Sequence, residues 1–476
     1  MKKHWPVILF LVLYFLITSY KLISHPTPFY DWDESIYAQV GREMVRQHSL
    51  VPLWQGQYWL DKPPLTPLVY GIVETFTPAA PEISTREFTL ILSIAVLALT
   101  YVFYYRLVKN TAIPLLTVII TAFTPVFLQR AQVLNVDVFL MLGWIGYLVF
   151  YDNFWLSLLF LATGVLSKSL LGLYPLIGML AVETIQLYLK KIKTNDYKKR
   201  LTSMLVQLIV LSFWYLTMLA VFRFAFIKNQ FLEAMFKRVT SSIESHFGKR
   251  TFYITTLFDQ IKIFFILSVI GLVMVIRENL SVKNWRQLVL LLFFVPWFLF
   301  LNVTKTKIAW YIYPVIPQFA FLGVYLLIYF KKFRMITILI TIVISLVILN
   351  QAFRQDNFLT TYYSSYDQYY RLAVYAGKNC GQLEVLVDPA TRQTYDTLNR
   401  MNLTISTTKW WGNHPAIVYY SGKKVDFVYD KNYFIGALNT FNQNECVVIN
   451  NQDSRIMTGH RYVLKNKFQE MDLYAQ

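Results

Sequence analysis

Apolar and polar positions along most of this chain fall into blocks. Long apolar runs are separated by short polar segments. About 20 apolar residues in a helix cross the roughly 30 Å of a bilayer interior. Residues 201–222, "LTSMLVQLIVLSFWYLTMLAVF", carry no charge at all. The pattern predicts membrane helices over 5–24, 87–106, 112–128, 136–151, 154–166, 170–189, 201–226, 254–276, 287–303, 309–330 and 335–350. That makes about eleven passes, and up to thirteen if weaker runs also span. The segment "PPLTPLVYGIVETF", 63–76, is short, proline-rich and carries Glu74. It reads as a juxtamembrane or re-entrant piece of one large outer loop, 25–85. From 351 the character changes. "LEVLVD", "KVDFVYD", "ECVVIN" and "RYVLKN" look like short strands, with "YYRLAVYAGKN" and "FIGALNTFN" as helices between them. The expected fold is therefore an all-α polytopic membrane domain, 1–350, followed by a small extracytoplasmic α/β domain, 351–476.

Composition agrees with a membrane protein. Of 476 residues, 56% are hydrophobic and only 15% charged. The net charge of +18 does not imply nucleic-acid binding. Its clusters, "KKIKTNDYKKR" at 190–200 and "KKFR" at 331–334, sit between apolar runs, as cytoplasmic loops do. The start, "MKKHWPVILFLVLYFLITSYK", has the basic end and apolar run of a signal peptide but no small-x-small cleavage site. It reads as an uncleaved first helix with its N-terminus inside. An odd number of passes then places the C-terminal domain outside. Cys380 and Cys446 could pair if that compartment is oxidising, and their spacing is not that of a metal site. There is no internal repeat and no glycine-rich phosphate loop.

Charge adds more once the chain is threaded. The polar residues at the helix borders fall on the outer side. "FYDWDESIYAQVGREM" brings Asp31, Asp33 and Glu34, and "YWLDKPPL" brings Asp61 and Lys62. Arg130 and Asp137 end two helices, and Lys168 and Ser169 occupy another turn. The loop 236–253 supplies Arg238, Glu244 and His246, while "NVTKTKIAWYIYP" supplies Lys305, Lys307 and Tyr311. Each has a plainer explanation: a helix cap for Asp33, Glu34 and Asp137, a snorkelling lysine for Lys62, an aromatic-belt residue for Tyr311. Together they look like a site, because ionisable groups at a membrane border mark function. Cations hold a phosphate, and a carboxylate orients or deprotonates a hydroxyl nucleophile. A leaving phosphate needs cationic stabilisation rather than an acid. The set suits transfer of a group from a polyprenyl phosphate.

"DWDESIYAQVGREM", "YWLDKPPL", the Asp at a helix end, "SKSLLGLYP" and "TKTKIAWYIYPVIPQFA" resemble the membrane glycosyltransferases of the GT-C fold over residues 1–350. Among these, the bacterial aminoarabinose transferases of lipid A and the protein O-mannosyltransferases look most similar. The resemblance implies an inverting transferase using a sugar on polyprenyl phosphate, with lipid, glycan or protein as acceptor. It implies a bacterial inner-membrane protein with its active site on the periplasmic side. It implies that Asp33, with Glu34 beside it, is catalytic. Asp61 and Lys62, with Asp137, Lys168, Arg238, His246, Lys305, Lys307 and Tyr311, would bind the donor or its phosphate. No cofactor or metal is expected, although the acids could hold a divalent ion. Two positions depart from the family pattern, which often has Glu where Asp61 stands and Gly where Ser169 stands. The main rival is a transporter or flippase of lipid-linked sugars, which would be expected to show repeat halves. A scaffold and a glycan polymerase or ligase using a diphosphate-linked donor are further alternatives.

Overall fold

The computed structural model describes residues 3–24, 26–29, 33–242, 246, 248–262, 264–282, 284–329, 367–387, 414–440 and 444–476, with a few isolated positions besides. Asp31, Glu244 and the basic segment 331–334 lie outside the described residues, as does most of the expected helix 335–350.

The chain is a helical membrane protein, and the expected count of eleven passes is corrected. Among the described residues, six helices are long and apolar enough to cross a membrane, or seven if one bent pair counts as a span. The difference is physical. Ala112–Phe123 and Asp137–Val149 have 12 and 13 residues, so at 1.5 Å per residue they reach only about 20 Å. The two passes expected between 154 and 189 form one apolar stretch, Phe154–Tyr188, with a 3₁₀ turn over Ser169–Leu173 inside it. The run 287–303 is bent by 52° between Trp285–Leu291 and Val295–Val303. Hydropathy registers none of these breaks, because it measures composition and not helix length. With this count the parity of passes no longer assigns a side to either terminus.

The polar segment after the first helix, Trp5–Ser24, folds into the amphipathic helix Asp33–Arg46. This helix packs on Leu65–Phe76 through a glycine pair. A Cβ on Gly71 would stand 2.1 Å from the Gly41 carbonyl oxygen, and one on Gly41 would stand 2.2 Å from that of Pro67. Only two glycines allow the backbones this close. Between the helices, strands β1 (Leu53–Trp54) and β2 (Gln57–Tyr58) form a hairpin. Its corner residues Gln55 and Gly56 both have positive φ, +51° and +77°, as a primed turn requires. The Glu43 carboxylate accepts both corner N–H groups, at 2.7 and 2.8 Å.

The C-terminal described residues carry strands β3 (Gln382–Leu386), β4 (Lys424–Val428), β5 (Glu445–Asn450), β6 (Val463–Phe468) and β7 (Met471–Ala475). They form one mixed sheet in the order β4-β3-β5-β7-β6. Strand β3 is parallel to both β4 and β5, and β7 is antiparallel to β5 and β6. Cys380 and Cys446 are joined as a disulfide closing 66 residues. The expected self-contained α/β domain over 351–476 is also corrected. Much of that range lies outside the description, and the described part is not self-contained: one small cluster, with Leu386, Phe434, Val447 and Ile449, is its own, and its other apolar residues pack into the membrane part. Leu372, Ala376, Ile417, Leu383 and Leu473 belong to the same apolar cluster as Ile36, Val40 and the membrane helices. Polar contacts tie the two parts as well. Arg42 donates to the Tyr419 carbonyl at 2.8 Å and to Glu74 at 2.8 Å, with its guanidinium over the Tyr419 ring. Gln55 bonds both backbone groups of Val425 on the sheet's edge strand, at 3.0 and 2.8 Å.

Gly71→Val should therefore force the Asp33–Arg46 and Leu65–Phe76 helices apart. The expected loss is about 3 kcal/mol, the upper part of the usual overpacking range. It is measured as a lowered melting temperature of the detergent-purified protein.

Candidate functional site

Two consecutive acids open the helix Asp33–Arg46, where the helix dipole favours negative charge. Neighbouring residues on a helix point about 100° apart, so the two acids have different surroundings. The Glu34 side chain is 2% exposed and that of Asp33 44%. Glu34 makes a fork-to-fork pair with Arg86, at 2.8 and 3.0 Å, and also accepts the Leu134 N–H at 3.0 Å. Arg86 spends its remaining donors on the Thr27 and Pro28 carbonyls, at 2.7 and 2.9 Å. One buried pair thus joins the chain entering the helix, the helix itself, the long helix Pro81–Val108 and the turn before Asp137.

Asp33 faces outward to Arg130, with Oδ2 3.7 Å from Nη2. Arg130 ends the short helix Pro125–Arg130, and its Nη2 donates to Asp137 Oδ2 at 3.1 Å. Asp137 starts the helix Asp137–Val149 and is buried. Its other oxygen takes the Lys168 ammonium, which lies at the end of the helix Phe154–Lys168. Asn135 sets the geometry: its Nδ2 donates to the Arg130 carbonyl and its Oδ1 accepts the Val138 N–H. The Lys168 ammonium stands 4.8 Å from the Tyr311 ring centre, and Arg238 donates to the Tyr311 hydroxyl at 3.3 Å. The result is one chain of contacts: Asp33, Arg130, Asp137, Lys168, Tyr311, Arg238. Ser169, just after the lysine, holds φ +55°, a conformation that glycine adopts without steric cost.

Asp61, Lys62, Asp137, Lys168, Arg238 and Tyr311 line one partly open cleft with about 810 Å³ of empty space. Its other walls are largely apolar, with Leu140, Met235, Trp297, Phe300 and Leu301 among them. Burial pushes the Lys62 amine down to about 8; the Arg238 and Lys168 charges add to this, and Asp33 and Asp61 oppose it. Asp33 is not among the lining residues and reaches the cleft through Arg130. Four other expected residues are placed elsewhere. Both Glu34 oxygens are held by Arg86. The Lys307 ammonium donates to the Leu301 and Asn302 carbonyls, at 3.1 and 3.0 Å, and so caps the helix Val295–Val303. Lys305 is exposed, and its N–H pairs with the Val239 carbonyl. The His246 carbonyl accepts the Lys307 N–H, and His246 does not line the cleft. Among the described residues, no three of His, Cys, Asp and Glu gather as metal ligands. Gln230 and Trp297 also line the cleft; Gln230 sits in the polar stretch "KNQFLE" and Trp297 in an apolar run, and neither carries a charge that would mark it in the sequence.

Comparison with solved structures shows what the fold is like. The chain is similar to ArnT from Cupriavidus metallidurans bound to undecaprenyl phosphate, at TM-score 0.66 and 11% identity, covering 98% of this chain and 97% of that one. The apo state of the same protein aligns at TM-score 0.71 and 10% identity, over 98% and 97% of the two chains. An oligosaccharyltransferase from Archaeoglobus fulgidus in the apo form gives TM-score 0.58 and 12% identity, over 95% of this chain and 71% of that one. The sequence matches no protein-family model and no curated protein. At 10–12% identity the likeness is one of fold alone.

Glu34→Ala should leave the Arg86 charge buried and uncompensated. Loss of one partner of such a pair costs about 3–5 kcal/mol. Thermal unfolding in detergent should show a large fall in melting temperature for Glu34→Ala, and little change for Lys305→Ala, whose residue is exposed in a bend.

Proposed function

We propose that this chain is a membrane glycosyltransferase that moves a sugar from a polyprenyl-phosphate donor to an acceptor at the outer face of the membrane. The observation that carries the reading is the meeting of Lys62, Lys168, Arg238 and Asp137 in a cleft whose remaining walls are apolar. A lipid phosphate needs both halves of such a site. The likeness of fold to a protein crystallised with undecaprenyl phosphate agrees with this.

In this reading the cations hold the phosphate by charge-assisted hydrogen bonds and stabilise it as it leaves. Asp33 orients the acceptor hydroxyl and takes its proton, since it is the acid left partly exposed at the end of the ionic chain. The acceptor oxygen attacks the anomeric carbon opposite the phosphate, the carbon–phosphate-oxygen bond breaks, and the configuration inverts. Asp137 keeps Arg130 and Lys168 in place, and Glu34 anchors the helix that carries Asp33. The acceptor would be a lipid A-type glycolipid, another glycan or a protein hydroxyl.

Two features support an outer-face, oxidising location for the site. The Cys380–Cys446 disulfide is in the part that packs on the Asp33–Arg46 helix. The basic stretch 190–200 follows the helix Tyr174–Tyr188, which runs about 22 Å away from the Lys168 turn.

The test is transfer from radiolabelled polyprenyl-phosphate sugars to membrane acceptors in detergent. Wild-type protein should transfer, and Asp33→Asn should be slower by at least about 100-fold, the low end for losing a general base. Equal rates in the folded variant would remove Asp33 from the mechanism. Donor binding should also weaken as pH rises through about 8, because Lys62 there loses the charge that faces the phosphate. Lys62→Met should bind more weakly and flatten that part of the profile, read from a titration of polyprenyl phosphate between pH 6.5 and 9.5.

A further inference from the structure

The segment Lys228–Phe236 is a π-helix between the long helix Thr194–Ile227 and the single turn Lys237–Thr240. π-turns are rare and recur at functional sites. Gln230, Ala234, Met235 and Val239 from this stretch all face the cleft beside Arg238. Gln230 is fully buried, and its Oε1 has no hydrogen-bond partner among the described residues. Trp297 lines the same cleft, is buried against Trp144 and Tyr174, and its Nε1–H likewise has no partner there. A buried acceptor and a buried donor left open in one cleft are costly features that a ligand can satisfy.

We infer that Gln230 and Trp297 read the hydroxyl groups of the sugar carried on the lipid phosphate. The inference rests on the donor reading above and adds to it the part of the donor that is recognised. A polyprenyl chain has no hydrogen-bonding atoms and satisfies neither residue. A phosphate ester carries acceptors only at neutral pH, so it has nothing to offer Gln230 Oε1. A sugar hydroxyl both donates and accepts, as this neutral pair requires. The cations are matched to the phosphate, and the sugar one bond away falls to the uncharged groups.

The experiment compares binding of undecaprenyl phosphate with that of undecaprenyl-phosphate glucose, mannose, galactose and 4-aminoarabinose, by native mass spectrometry of the detergent-purified full chain. Wild-type protein should favour at least one sugar-bearing lipid over the bare phosphate. Gln230→Met should erase about fivefold of that preference, the usual worth of one neutral hydrogen bond, and leave binding of the bare lipid unchanged. Trp297→Phe, which keeps a ring but removes the N–H, should act in the same direction. An unchanged preference in Gln230→Met, or equal loss on bare and sugar-bearing lipid, overturns the inference and makes the residue part of the wall only. No preference in wild type overturns it too, while leaving the phosphate site standing. Failure of wild type to bind any of these lipids overturns the donor reading and this inference with it. Circular dichroism of both variants separates a binding defect from a folding defect.

Discussion

The fork-to-fork pair of Glu34 and Arg86 is the constraint on which the site depends. Taking two opposite charges out of water costs several kcal/mol per ion, and their attraction repays this only in good geometry with the other donors satisfied. Here each condition is met by a different stretch of chain: Thr27 and Pro28 take the spare Arg86 donors, and Leu134 supplies an N–H to Glu34. The pair therefore holds together four segments that are far apart in sequence. It also fixes the rotation of the helix Asp33–Arg46. With Glu34 committed inward, Asp33 has only the Arg130 side to face.

From there the charges alternate. Asp33 and Asp137 share Arg130, and Asp137 also takes Lys168. Along this run Arg130 stands between the Asp33 and Asp137 carboxylates. Counting Lys62, Arg130, Lys168 and Arg238 against Asp33, Asp61 and Asp137 leaves one cation in excess, a balance suited to receiving an anion. Burial, with the Arg238 and Lys168 charges adding to it, depresses the Lys62 amine, and a bound phosphate would stabilise its charged form.

The acids and cations of the cleft were legible in the sequence because charge at the edge of an apolar block is conspicuous. Which way each side chain turns was not legible. Lys307 and Tyr311 are four residues apart, yet one caps the helix before it and the other faces the cleft, since a 3₁₀ turn lies between extended backbone and helix. Arg86 stood just before the expected helix 87–106, between Glu82 and Glu87, and its pairing with Glu34, 52 residues away, has no local signal. Gln230 was hidden by neutrality and by a π-turn that shifts the register of its neighbours. The helix count failed for a related reason: apolar composition continues through bends and through helices too short to span. The shared core of the sheet and the membrane helices depends on contacts between distant segments, which no local pattern records.

The two hydrogen bonds from Gln55 to Val425 have a consequence for how copies of this protein meet one another. An edge strand offers a row of open backbone groups to any other strand, and proteins must protect such edges. Strand β4 is one edge of the sheet, and Val425 is its second residue. A glutamine amide carries the same donor and acceptor as a peptide unit. Gln55, raised on a two-residue corner, therefore stands in for one residue of a missing neighbour strand. The hairpin acts as a stopper on that edge, so the sheet is guarded against strand exchange between molecules by a piece of the same chain that helps frame the site.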